Sequence, residues 1–202
     1  MIGKALETFF IRIWVIVKLT LFFWILTATG LIVAGIGPAL KVITILYLSY
    51  DFDYKSITLR EAFQLFRKEF ARANLIFWIY TAILILLSYN LYLSVQISGL
   101  LFLVVDFILF FALIFVIIAF EYALLIDSQF EISIKNLIGL SFISNFVNFM
   151  TYLKLLVGLD LILALTYQFK GLILFGMIGL LQVYCVAVTK DWRNHVEEQL
   201  AE

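Results

Sequence analysis

Five ionisable side chains interrupt the long apolar stretches of this sequence: Lys41, Asp106, Glu121, Lys154 and Asp160. A charge at membrane depth is costly, so such residues pair with one another or serve binding or transport. At ~1.5 Å per residue along a helix, Lys41, Asp106 and Asp160 fall nearer one membrane face. Glu121 and Lys154 fall nearer the opposite face. We therefore expect an outer cluster of Lys41, Asp106 and Asp160. We also expect an inner ion pair between Glu121 and Lys154.

The expected outer cluster has two interpretations. Two carboxylates beside one ammonium leave one carboxylate protonated or hydrated, which suits a site for a cation or a proton. Alternatively, the charged groups form polar contacts between helices and only assemble the bundle. Both interpretations stay open at the level of sequence.

Recognisable enzyme chemistry is absent from the sequence. It contains no H-E-x-x-H metal site, no G-x-S-x-G nucleophile turn and no phosphate-binding P-loop. The single histidine, His195, and the single cysteine, Cys185, form no nucleophile–base pair of known spacing. We expect a protein that is not an enzyme, with no cofactor and no metal site.

The composition is that of a membrane protein. Hydrophobic residues make up 65 % of the 202 positions and the mean hydropathy is +1.11, whereas ordinary soluble domains are about 45–50 % apolar. The formal net charge is zero, which gives no reason to expect a nucleic-acid partner. The sequence predicts an all-α, polytopic bundle of membrane helices, with the lipid bilayer as a partner.

The distribution of basic residues predicts the number of crossings. Lysines and arginines concentrate in the N-terminal segment, in 51–72 and at the C-terminus, and such regions lie on the cytoplasmic side. These three basic regions lie on the same side of the membrane only if residues 19–50 cross it twice. We therefore expect a helical hairpin that turns at Gly35, Gly37 and Pro38. Glycine suits a tight turn and proline suits the first turn of a helix. We expect six transmembrane helices, with five as the fallback, and both termini in the cytoplasm.

A single membrane domain, 1–202, follows from this reading. Its predicted parts are an interfacial helix (1–18), the hairpin (19–50), an interfacial elbow (56–72), two spans (73–126), a second elbow (132–149), two further spans (150–189) and a cytoplasmic tail (190–202).

The predicted elbow at 56–72 is amphipathic and rich in aromatic residues. Helices of this type lie in the membrane interface with the polar face towards the cytoplasm. Such elbows are often only connectors between spans. They also suit the docking of a partner, and the residues that would carry this role are Phe63, Phe66, Arg67, Lys68 and Phe70.

Several features appear in an order that resembles a known family. An aromatic-rich first span containing FFWILTATGL is followed by G-I-G-P-A-L, a short helix and the segment F-x-x-F-R-K-E-F, with Asn74 behind it. This order resembles the YesL family of small bacterial integral membrane proteins, a family of unknown function. The resemblance implies a bacterial plasma-membrane protein with an accessory role in carbohydrate uptake, as a partner of the permease or ATPase subunits of an oligosaccharide ABC importer. It implies no catalytic residues.

Two alternative functions are therefore expected. The first is a non-enzymatic accessory or interaction subunit of a carbohydrate ABC importer, docked through its elbows. The second is a self-contained small-solute transporter or substrate-binding membrane subunit with a polar site around Asp106 and Asp160.

Overall fold

The computed structural model describes the backbone of residues 2–201 and the side chains of residues 3–198. Residue 1 of the predicted N-terminal helix and residue 202 of the predicted tail lie outside the described residues. The described chain consists of helices and their connections, without a strand. These helices are α1 (Ile2–Thr29), α2 (Ile36–Tyr50), α3 (Leu59–Ser94), α4 (Leu100–Gln129), α5 (Ile134–Val147), α6 (Phe149–Gln168), α7 (Leu172–Phe175), α8 (Met177–Val188) and α9 (Lys190–Ala201).

Four of the described helices are long and apolar enough to cross a membrane, namely α1, α3, α4 and α6. The all-helical architecture and the membrane character expected from composition are confirmed at this level. The other two expected crossings correspond to shorter elements. α2 has 15 residues, and the stretch predicted as the sixth span is divided at Gly176 into α7 and α8, of 4 and 12 residues.

The predicted interfacial helix and the first predicted span form one continuous helix, α1. The sequence analysis separates an interfacial helix, 1–18, from a span that begins at residue 19, whereas α1 continues through Lys18 without interruption. No glycine or proline lies between Gly3 and Gly30 to break it. The apolar stripe of its first half is exposed, as shown by Phe9, Phe10 and Trp14.

The connection between α1 and α2 lies slightly earlier than predicted. The turn occupies residues 30–35, so Gly37 and Pro38 belong to the first turn of α2. Proline is tolerated there because the N–H groups of a first turn have no acceptor within the helix. Gly35 marks a close approach, since a Cβ at this position would lie 2.4 Å from the carbonyl oxygen of Thr27.

The predicted elbow 56–72 and the span that follows it also form one helix. α3 begins after Thr58, whose side-chain oxygen accepts a hydrogen bond from the backbone N–H of Glu61. A threonine followed three residues later by glutamate is a sequence signature of a helix start. No helix-breaking residue occurs between Glu61 and Ser94, so an amphipathic first half and an apolar second half share one axis.

The second predicted elbow is a separate helix. α5 starts after Ser133, whose hydroxyl accepts from the N–H of Asn136, and α6 starts after Asn148, whose side chain accepts from the N–H of Thr151. Ser and Asn are favoured helix caps, and the two caps separate α5 from its neighbours. The predicted tail begins with a helix, α9, which packs back onto α4 through Trp192 and Tyr122, with ring centroids 4.6 Å apart.

The core of the bundle surrounds α2. This helix packs against α1, α3, α4 and α8, and nine of its residues are buried. The halves of α3 and α4 that are furthest from α2 are largely unburied: within residues 81–115 only Ser94 is buried. We call this segment the α3–α4 hairpin tip. Its large exposed apolar side chains, such as Phe107 and Phe111, need a lipid environment.

Candidate functional site

Lys41 lies between α2, α3 and α4 with 2 % of its surface exposed. Its ammonium Nζ donates to Glu69 Oε2 on α3 at 2.7 Å and to Asp127 Oδ2 on α4 at 2.5 Å. A buried charge pays a large desolvation penalty, which only well-placed opposite charges and hydrogen bonds offset. The two carboxylates therefore account for a lysine in the most buried helix of the bundle.

Arg72 completes this ion network from the next turn of α3. Its Nε and Nη2 both lie 2.6 Å from Asp127 Oδ1, and Nη2 also donates to the carbonyl oxygen of Ile132 at 2.5 Å. Lys41, Glu69, Arg72 and Asp127, hereafter the ion network, carry two positive and two negative charges. The ion network therefore ties α2, α3, α4 and the connection between α4 and α5 together with no net charge.

A cavity of about 500 Å³ opens to the surface beside the ion network. It lies between α2, the first half of α3 and the end of α4. Besides the ion network, its lining includes Ile45, Leu65, Lys68, Phe130, Glu131 and Ile132. A cavity with an apolar wall and a few convergent polar groups is a common form of ligand site.

A second polar cluster lies deeper in the bundle. Thr44 Oγ1 donates to Gln182 Oε1 at 2.9 Å, and Gln182 Nε2 donates to Glu121 Oε2 at 3.3 Å. All three residues are buried, and Cys185 beside them is fully buried. Because these groups satisfy one another, the cluster joins α2, α4 and α8 as an interhelical polar contact.

The structure does not bring the predicted outer cluster together. Lys41 is bonded to Asp127, which lies 21 positions after Asp106 on α4, or roughly 32 Å away along the helix axis. Asp160 is exposed on α6, and among the residues with described side chains neither Asp106 nor Asp160 forms an ion pair. The packing of α2 against α3 and α4 places Lys41 at the level of Asp127 rather than of Asp106.

The predicted inner pair of Glu121 and Lys154 is not formed either. Glu121 is buried and bonded to Gln182, while Lys154 is exposed. The backbone of Lys154 does take part in helix packing, since its carbonyl oxygen accepts from the hydroxyl of Tyr184 at 2.6 Å. An amide, rather than an ammonium, satisfies the buried carboxyl group.

The five predicted docking residues divide between the core and the surface. Phe66 is buried and Phe63 is half-buried, so the helix uses these rings for its own packing. Arg67 and Lys68 are exposed, and Phe70 is 36 % exposed. The accessible face of the first half of α3 is therefore basic rather than aromatic.

The loop before this face is ordered by local hydrogen bonds. In the connection between α2 and α3, Asp53 accepts from the hydroxyl of Ser56 at 2.7 Å and from the backbone N–H of Lys55 at 3.1 Å. These hydrogen bonds, the one from Ser56 first, hold the pKa of Asp53 below its usual range. The hydroxyl of Tyr50 donates to Glu61 at 2.8 Å, which fixes the start of α3 against the end of α2.

Sequence reasoning missed three of the four members of the ion network. Glu69 and Arg72 belong to the amphipathic segment and Asp127 directly follows a long apolar run, so none of the three is among the charges within the apolar stretches. A signal existed in Lys41 itself, because a lysine inside an apolar helix requires a carboxylate at its own level.

The described side chains offer no metal centre, since no group of three or more His, Cys, Asp or Glu residues lies close enough to hold an ion. Cys185 is a free, buried thiol. The site is thus defined by a neutral ion network and an adjacent open cavity.

Together, the long apolar helices and the all-helical fold indicate a membrane-embedded protein. Residues 16–91 match the family described as "Protein of unknown function, DUF624", to which YesL proteins belong. The matched region runs from α1 into the second half of α3 and contains Lys41, Glu69 and Arg72. No curated protein and no solved structure matches the chain.

Proposed function

We propose that this protein is a YesL-type, non-enzymatic accessory subunit of a carbohydrate ABC importer in the bacterial plasma membrane. The family match over residues 16–91 and the order of motifs in that region support the family assignment. The observation that carries an interaction role is the exposed basic face of α3, which consists of Arg60, Gln64, Arg67 and Lys68. The importer and its carbohydrate substrate come from the resemblance alone.

The basic face of α3 is held rigidly, as a docking surface requires. On the opposite side of the same helix turns, Ala62 and Phe66 are buried in the core. The helix start is capped by Thr58, and the ion pair of Glu69 with Lys41 anchors the third turn. A surface that is already ordered loses less conformational entropy on binding than a flexible one.

We further propose six membrane passes with both termini in the cytoplasm, where α2 and the pair α7–α8 are the two short passes. Contacts that link the basic regions to one another or to the end of α4 support this arrangement. Lys18 donates to the carbonyl oxygen of Tyr54 at 2.7 Å, and Arg193 donates to Gln129 at 2.9 Å. Arg72 reaches the connection after α4. These contacts gather the basic regions at one end of the bundle, as the positive-inside rule expects.

The competing proposal, a self-contained small-solute transporter or binding subunit around Asp106 and Asp160, has less support. Asp160 is exposed, and Asp106 has a buried oxygen without a hydrogen-bond partner among the described residues. The buried charges that could line a pathway have partners inside the protein instead: Lys41 is bonded to Asp127, and Glu121 to Gln182. We therefore favour the accessory role.

Affinity purification from native membranes in mild detergent, followed by mass spectrometry, tests the accessory role. The double variant R60E/R67E should lose importer permease and ATPase subunits that the unaltered chain retains near stoichiometry. Lys170→Glu reverses an exposed charge between α6 and α7, away from the proposed docking face, and should retain them. Purification of the unaltered chain alone would overturn the accessory role and favour a self-contained protein.

A further inference from the structure

The open cavity beside the ion network has a wall whose charges are already satisfied. The side chains of Lys41 and Asp127 are 3 % and 2 % exposed, and each is bonded within the ion network. Such groups shape the cavity but offer little to a ligand. Recognition therefore depends on the groups at the rim.

The rim presents both signs of charge with free bonding capacity. Lys68 is 75 % exposed and lies 3.9 Å from Glu69, beyond ordinary hydrogen-bond distance. Arg72 is 35 % exposed and directs Nε and Nη2 at Asp127 and Ile132, so its Nη1 is available. Glu131 is an exposed carboxylate on the same rim. A ligand that carries one anion and one cation would form charge-assisted hydrogen bonds with both sets.

The remaining lining points to a membrane lipid as the source of this ligand. Ile45, Leu65, Phe130 and Ile132 give the cavity an apolar wall. The cavity lies at the end of α4, a helix with a long exposed apolar surface, which is where a bilayer presents its headgroups. Its volume of about 500 Å³ is in the range of small-molecule sites.

We propose that this cavity binds the zwitterionic headgroup of phosphatidylethanolamine. The lipid phosphate accepts hydrogen bonds from Lys68 and Arg72, and its primary ammonium donates to Glu131. Phosphatidylcholine has the same charges but no N–H donor, and phosphatidylglycerol has no cation. The site therefore favours ethanolamine lipids over both. This proposal is independent of any role with an importer.

The test uses the purified full-length chain, delipidated in detergent and supplied with one lipid at a time. Phosphatidylethanolamine should be retained in native mass spectra and should raise the melting temperature more than phosphatidylcholine or phosphatidylglycerol. Because charge-assisted hydrogen bonds are individually strong, Glu131→Gln and Lys68→Gln should each weaken the binding of phosphatidylethanolamine by about tenfold. Both side chains are at the rim, so these variants leave the ion network intact.

Matched control variants and a soluble form of the headgroup test whether the cavity binds the lipid. Glu7→Gln and Lys170→Gln remove exposed charges that do not line the cavity, and these variants should bind the lipid as the unaltered chain does. Equal retention of the three lipids, or unchanged binding in both rim variants, would overturn the proposal. Glycerophosphoethanolamine carries the headgroup without the acyl chains. If it binds as tightly as the lipid, the occupant is a free zwitterion and the lipid assignment fails.

Discussion

Lys41 and Asp127 are 86 positions apart in the sequence, and their side chains meet at 2.5 Å between α2 and α4. This pair lies at the centre of the ion network, with Glu69 and Arg72 on either side. It joins α2 to α4 through the one ionised side chain of α2.

Removing the cation of the pair should be severely destabilising. In Lys41→Met, Asp127 and Glu69 stay buried with one cation fewer, and breaking a buried pair in this way costs about 3–5 kcal/mol. The double variant K41M/D127L should recover part of this loss, because it removes both charges. Unfolding in detergent with increasing denaturant measures the difference. Lys68→Met, which removes an exposed charge, should cost less than about 1 kcal/mol; a loss as large as that of Lys41→Met would contradict the assignment.

The contact between α1 and α8 depends on a glycine. A Cβ on Gly179 would lie 2.2 Å from the carbonyl oxygen of Ile16, a backbone atom that cannot move away without shifting the helix. Gly179→Ala should therefore lower stability by about 1–3 kcal/mol or more through overpacking. Gly139, inside α5, has open space around its Cα, so Gly139→Ala should raise stability by about 0.5–1 kcal/mol. Equal shifts in the two melting temperatures would contradict the packing shown here.

The turn between α1 and α2 contains backbone strain. Leu31 and Ile32 have φ values of 59° and 63°, a left-handed conformation that β-branched residues rarely adopt. Ile32→Gly should stabilise the protein by about 1 kcal/mol, because glycine adopts this conformation freely. Val33 is also exposed but has no positive φ, so Val33→Gly should be neutral or destabilising. The two melting temperatures should move apart, and a lower value for Ile32→Gly would rule out the strain.

The long helices were predictable from sequence, and their partners were not. The apolar runs 98–126 and 150–167 predict α4 and α6 within a few residues, because a predominantly apolar run of about 20 residues has few alternatives in a membrane. The expected boundaries after Lys18 and Arg72 were drawn where polarity changes. The backbone continues through both positions, since a change of polarity does not break a helix, whereas a cap such as Asn148 does.

Hydropathy does not identify the residues that form the ion network. Lys41 is recognisable as a buried cation, but the choice among Asp106, Asp127 and Asp160 depends on the relative heights of helices that are distant in sequence. Those heights follow from packing contacts, such as Gly37 against Phe77 of α3. Sequence periodicity contains no such information.

Cysteine labelling in intact cells tests the proposed six-pass topology. The native Cys185 is fully buried, so new surface cysteines can be read against a low background. With a membrane-impermeant maleimide, Lys170→Cys should react from outside, because the connection between α6 and α7 is external in this topology. Lys55→Cys and Lys190→Cys, both exposed positions, should react only after permeabilisation. Labelling of Lys55→Cys in intact cells would exclude a cytoplasmic connection between α2 and α3.

Asp106 separates the accessory role from the transport role. Its Oδ1 is buried in the α3–α4 hairpin tip without a hydrogen-bond partner among the described residues, and an unsatisfied buried polar group is costly. Asp106→Asn removes the ionised form, so the melting temperature should stay the same or rise, and importer subunits should still copurify. If this residue instead serves a solute site, the variant should lose the thermal stabilisation that a bound solute gives the unaltered chain. Glu7→Gln is the matched control, because that carboxylate is exposed on α1 and its removal should leave both stability and copurification unchanged. A fall in melting temperature specific to Asp106→Asn would show that the carboxylate has a partner in the membrane and would restore the self-contained binding subunit as the better proposal.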